Sequence, residues 1–141
     1  MRFEREKAKP IENVSEKQLL RGLGYMFRLS DSRIAILNAE EGSYVQVGGG
    51  CMACVLEWRD ASRARHFRAS QDPPVVPWPG ITELRVSGGF VRLRQEEFFR
   101  MPQVQEAFLA FYHRVPFPAY IEWRDITEEV AAISSDATGS A

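Results

Sequence analysis

SYVQVGGGCMACVLEW, residues 43–58, is the stretch on which the fold turns. Tyr44-Val45-Gln46-Val47 alternates, as a strand with one buried face does, because successive strand side chains point to opposite faces. Gly48-Gly49-Gly50 then permits a tight reversal that a Cβ would resist. Met52 to Trp58 follows as a second apolar run, closed by Glu57-Trp58-Arg59-Asp60. Both faces of this run are apolar until Glu57, which predicts a central strand covered on two sides. A β-hairpin is therefore expected at the middle of the molecule.

Working outward, Ile34 to Asn38 is a β-branched run, and Glu41-Gly42 turns it back into the Tyr44–Val47 strand. Downstream, His66-Phe67-Arg68 reads as a further strand. QDPPVVPWPG, residues 71–80, is expected to run extended along the surface, because proline lacks an amide donor and restricts the residue before it. Leu84-Arg85-Val86 and Val91-Arg92-Leu93 flank Gly88-Gly89, which suits a two-residue hairpin turn. Tyr120 to Trp123 is the last expected strand.

Two helices should cover this sheet. Ser15-Glu16-Lys17-Gln18 fits a capping box, and Leu19, Leu20, Leu23, Met26 and Phe27 continue at helical spacing, which predicts a helix over about 15–28. Gly22 weakens its middle by about 1 kcal/mol relative to alanine and invites an early end. Pro102 is suited to a first helical turn, and Val104, Ala107, Phe108, Phe111, Tyr112 and Val115 form a wide aromatic stripe, so the second helix spans about 102–114. Val115-Pro116-Phe117-Pro118 ends it. A short helix is expected around residues 127–133, and segments 1–12 and 134–141, being polar, are expected to be flexible tails. The expected class is α+β, a largely antiparallel sheet of about six to seven strands with both helices packed on it.

The composition suits this layout. The chain has 141 residues, 45% apolar and 26% charged, enough for one domain with one core. A net charge of −1 supplies no global field toward nucleic acid or anionic lipid. No apolar run reaches the roughly 18–20 residues of a membrane span, and the basic N-terminus lacks the apolar core of a secretory signal. With two cysteines, a disulfide framework is not expected. The expectation is a soluble, cytoplasmic, single-domain protein, monomeric or homodimeric.

The candidate chemistry is sparse. Cys51-Met52-Ala53-Cys54 is a CxxC, but a redox site needs its first thiol at a helix N-terminus, and the flanks here are β-like. With His66 or His113 the cysteines do not reach finger spacing, so Cys51, Cys54 and His66 are weak metal candidates and inert thiols are expected. Neither histidine has a neighbouring nucleophile, and His113 sits where a helix C-terminus favours imidazolium. The triple glycine lacks the Lys-Ser/Thr and the following helix of a phosphate cradle. Arg85, Arg92 and Arg94 share one phase of the second hairpin, and Arg63, Arg65 and Arg68 crowd the strand before it. With Tyr44 and Phe90 they offer a single-strand nucleic-acid reading, offset by Glu57, Glu83, Glu96 and Glu97. No complete catalytic or metal constellation, and no cofactor site, is present in the pattern.

One resemblance goes further. Ala107-Phe108-X-X-Phe111, then Phe117-Pro118 and Ile121-Glu122-Trp123, following a hairpin, resemble the small immunity proteins of bacterial polymorphic-toxin systems, in the subgroup often paired with nucleic-acid deaminase toxins. Ser43 to Gln46, the triple glycine and Leu56-Glu57-Trp58 are similar to the sheet-forming half of such domains, so the resemblance covers about residues 33–125. Cys51, Cys54 and the repeated Trp-Arg-Asp at 58–60 and 123–125 are not assignable to the family. The resemblance implies a non-catalytic protein that occludes the active site of a cognate toxin, a deaminase or another nucleic-acid-modifying effector, in the cytoplasm. Trp78 on its proline-stiffened loop is the candidate anchor, the alternative being that it folds back onto the core, with Arg59, Asp60, Arg124 and Asp125 as charged contacts. The alternatives are a thiol, metal or ligand-binding domain using Cys51 and Cys54, or a single-stranded nucleic-acid-binding module.

Overall fold

Antiparallel pairing organises the molecule, in a computed structural model that describes residues 1–28, 33–50, 53–86 and 89–139; the side chains of 26–28 and 134–139 lie outside the described set. The strands are β1 (Arg2–Arg5), β2 (Arg33–Asn38), β3 (Tyr44–Gly49), β4 (Cys54–Asp60), β5 (Arg65–Ser70), β6 (Ile81–Val86), β7 (Gly89–Arg94) and β8 (Glu122–Asp125). The helices are α1 (Glu16–Arg28), α2 (Met101–Tyr112) and α3 (Thr127–Gly139). The main sheet runs in the order β1-β2-β3-β4-β5-β8, while β6 and β7 form a sheet of their own. The class is α+β, and β3 and β4 are the middle pair of the main sheet, as the stretch 43–58 predicts.

Strand alternation sends two sets of side chains to two layers. Ala35, Leu37, Val45, Val47, Cys54, Leu56 and Ala69 meet Leu19 and Leu23 of α1 and Met101, Val104, Ala107 and Phe108 of α2 in one buried core. On the other face, Val55 and Ala53 join Val76, Leu93 and Phe98 in a second, smaller core, against which Leu84, Val86 and Val91 of the hairpin pack. The sheet is thus covered by helices on one side and by the hairpin on the other. Gly48 makes this second contact possible: a Cβ there would lie 2.9 Å from Val86 Cγ1.

The helix signals hold in detail. The Ser15 hydroxyl accepts from the Gln18 amide at 3.1 Å, and the Gln18 side chain accepts from the Ser15 amide at 2.9 Å, closing the capping box. Pro102 lies in the first turn of α2. Val104, Ala107 and Phe108 are buried, Phe111 and Tyr112 are partly buried, and Val115 is exposed beyond the helix. Met26 and Phe27 lie outside the described side chains.

Several expectations are corrected. Residues 2–5, expected within a flexible tail, are strand β1, registered from Arg2↔Asn38 to Arg5↔Ala35. Phe3 is the reason: it is fully buried, and it bridges Ile11 through two backbone hydrogen bonds of 2.9 Å. Gly22 does not end α1; a Cβ at this position would lie 2.5 Å from the Phe3 ring, so the glycine admits that ring against the helix. Gly48 and Gly49 are strand residues paired with Val55 and Cys54, not the turn. The second hairpin pairs Val86 with Gly89, so Gly89, expected in the turn, is a strand residue; Gly88 lies outside the described residues. The last strand is Glu122–Asp125 rather than 120–123, and α3 continues to Gly139 through most of the expected C-terminal tail. Among the described residues, no helix is long and apolar enough to cross a membrane.

Candidate functional site

The hairpin-side face of the main sheet carries a polar seam. Glu57 on β4 stands opposite Arg68 on β5 and Gln46 on β3, so pairing register alone gathers the three. Gln46 Nε2 donates to Glu57 Oε1 at 2.8 Å, and Arg68 Nε donates to Oε2 at 2.9 Å. The His66 ring places Nε2 3.0 Å from Oε1, and Tyr44 meets the same ring edge-on with centroids 6.0 Å apart. Burial by itself pushes the Glu57 carboxyl up. The hydrogen bonds from His66, Arg68 and Gln46, with the Arg68 charge, outweigh that and hold it below the usual glutamate value.

The seam continues across β8. Arg124 is the register neighbour of Arg68. It donates through Nε at 3.2 Å and Nη2 at 3.0 Å to Oε2 of Glu97, which is 1% exposed, and through Nη1 at 2.7 Å to Glu129 on α3. Glu97 Oε1 accepts the Arg94 amide at 2.9 Å, closing the short 3-10 turn Gln95–Glu97 after the hairpin. Arg68 Nη1 reaches the Arg92 carbonyl at 3.4 Å. These charges therefore tie the hairpin, the turn and α3 to the sheet. A buried carboxylate held by three donors positions chains; it presents no open oxygen to a substrate.

The expected charged contacts divide. Arg124 is committed to Glu97 and Glu129. Asp60 accepts from the Ser62 amide and hydroxyl and from Arg63 Nε at 2.6 Å, and these bonds hold its carboxyl below the usual value. Asp125 accepts from the Thr127 amide at 2.9 Å at the start of α3 and lies 3.6 Å from Arg65; its carboxyl is likewise lowered, first by Thr127. Arg59 faces the seam beside its cross-strand neighbour His66. Asp60, Arg65 and Asp125 do meet at one rim, where the Arg63 guanidinium also covers Trp58 at 5.6 Å. Trp78 is elsewhere. It stands edge-on to Phe98 at 5.2 Å, while neighbouring Phe99 pairs with Cys54 at the start of β4, about 20 Å of strand from Asp60. The five expected contact residues thus form no single patch.

The arginines read as a basic crowd on β5 are spent on carboxylates: Arg63 on Asp60, Arg65 on Asp125, Arg68 on Glu57. The metal candidates separate as well. Cys51 lies outside the described residues. Cys54 is buried in the helix-side core with its thiol donating to the Gly50 carbonyl at 3.3 Å, whereas His66 lies on the opposite face. Among the described residues no cluster of three or more His, Cys, Asp or Glu is placed to hold a metal ion. His113 caps α2 and sits 2.7 Å from Glu16 at the start of α1, which ties the two helix ends together.

Register reasoning on the sequence missed Glu57 as a hub. The signal was there: a lone carboxylate closing an apolar strand, with arginine on the next. The hairpin's outer face was partly legible. Ile81, Glu83 and Arg85 on β6 stand opposite Arg94, Arg92 and Phe90 on β7, all turned from the core. Trp78, Ile81 and Phe90 are 42%, 61% and 68% exposed, and the Pro-rich loop bearing Trp78 is pinned by Gln95 Nε2 on the Val76 carbonyl at 3.0 Å and Arg100 Nη2 on Val75 at 3.1 Å.

Comparison of the chain with protein-family models finds no match, and comparison with curated proteins finds none.

Proposed function

We propose that this chain is a non-catalytic binding protein of the immunity type, which neutralises a cognate bacterial toxin in the cytoplasm by binding it and occluding its active site. One observation carries the reading. The buried carboxylates Glu57 and Glu97 are closed off by Arg68 and Arg124, while large apolar side chains of the 78–90 segment remain on the surface. Buried groups of that kind hold a scaffold together. Exposed tryptophan and phenylalanine on pinned backbone serve a partner, because rigid aromatic anchors lose little entropy on docking. The resemblance across residues 33–125 supplies the class of partner, a deaminase or another nucleic-acid-modifying effector, and the reading requires no cofactor.

The test is co-production with the product of the adjacent reading frame. A stable complex and survival of cells that otherwise die are the expected results. Absence of both a complex and protection would overturn the reading.

A further inference from the structure

We infer that the outer face of the β6–β7 hairpin is the surface that grips the partner, and that it takes a protein face carrying carboxylates beside an apolar pocket. The inference rests on the immunity reading and deepens it by naming the surface and the chemistry it recognises.

The geometry comes from the two-residue period of the hairpin. Its inner phase, Leu84, Val86, Val91 and Leu93, is used up by the second core. Its outer phase therefore faces away from the protein and carries Arg85, Arg92 and Arg94 with one carboxylate, Glu83, opposite Arg92. Phe90 lies opposite Arg85 near the hairpin tip, and Ile81 lies opposite Arg94 at the base. An exposed apolar side chain thus stands at each end of a basic strip on a chain whose net charge is −1. Aromatic residues and arginine, the two kinds of side chain that Phe90, Arg92 and Arg94 present here, are enriched at protein interfaces.

Charge decides between occupants. A second copy would set arginines against arginines, so self-association through this face is disfavoured. Nucleic acid would use the guanidiniums but not Ile81, which has no π-face for a base, and Glu83 would repel the phosphates in the middle of the strip. A protein face, unlike a uniformly charged phosphate backbone, can set carboxylates against Arg92 and Arg94 in forked pairs, a donor against Glu83 and an apolar pocket over Phe90.

The experiment measures the affinity of the purified chain for the co-produced toxin, for the wild type, Phe90→Ser, Arg92→Gln/Arg94→Gln and the rim control Arg65→Gln. Thermal melts establish that each variant is folded. The expected result is a loss of about 10-fold or more for F90S and about 100-fold for R92Q/R94Q, with R65Q unchanged. Wild-type affinity in both hairpin variants overturns this surface and leaves the immunity reading standing. No complex with the wild type removes the reading and the surface with it. A labelled single-stranded oligonucleotide of about 20 nucleotides is the second probe, at low and high salt. If it binds in a way that R92Q/R94Q abolishes while the toxin complex is unaffected, the face belongs to nucleic acid and the inference fails.

Discussion

Glu57 and Arg68 face each other across the β4–β5 ladder, with carboxylate Oε2 2.9 Å from the guanidinium Nε and both side chains almost wholly buried. The pair sits under the hairpin, and Arg68 also reaches the Arg92 carbonyl on it. It therefore links the main sheet to the element that bears the proposed contact surface.

Removing one partner leaves the other charge buried without compensation. Glu57→Ala is expected to destabilise the protein by about 3 kcal/mol, and Arg68→Ala by a similar amount. Replacing both by leucine should recover much of the loss, since it removes the desolvation cost of both charges. Urea unfolding of the two single variants and the double variant measures this, and a double variant no better than the worse single would contradict it.

Stability should fall in acid. The folded-state values of Glu57, Asp60 and Asp125 all lie below their ordinary values of 4.5, 3.8 and 3.8. Each therefore contributes stability that is fully present above its unfolded value and is lost as the pH drops through its lowered folded value. Melting temperature against pH should be level at about pH 6 and decline from about pH 4.5 downward. In Glu57→Gln the same decline should be shallower.

Phe3 belongs to the core. Phe3→Ala should cost about 3 kcal/mol or more, as expected for a fully buried phenylalanine that meets both β2 and α1. Deleting residues 1–5 should be at least as damaging, and calorimetry of the two variants distinguishes a strand from a dispensable tail.

Gly48 sets the distance between hairpin and sheet. Gly48→Ala places a Cβ 2.9 Å from Val86 and 3.3 Å from Val55 and should cost about 1–3 kcal/mol. Hydrogen exchange should quicken first in β6 and β7 while α2 stays protected. Uniform quickening would mean that the two layers are one cooperative unit.

Local sequence determined what is local. Alternation at Tyr44–Val47 and Leu84–Leu93, the capping box at Ser15 and Gln18, and the aromatic stripe of α2 each announce their element, because backbone periodicity and hydrogen bonding at a helix start involve residues a few positions apart. Gly48 and Gly22 were misread for the same reason. A glycine's freedom to turn is visible in the chain, but its second use, letting Val86 or Phe3 approach, depends on residues 38 and 19 positions away. Phe3 likewise looked like part of a polar tail until Leu37 stood opposite it. The charged residues show the limit most clearly. Arg63, Arg65 and Arg68 are a basic crowd as letters, but strand register sets Arg68 against Glu57, a turn sets Arg63 against Asp60, and the arrival of β8 brings Asp125 to Arg65. Arg85, Arg92 and Arg94 have the same composition and keep the outward phase. Only the tertiary structure decides which arginines meet a carboxylate of the fold, because charge pairing is a matter of distance in space.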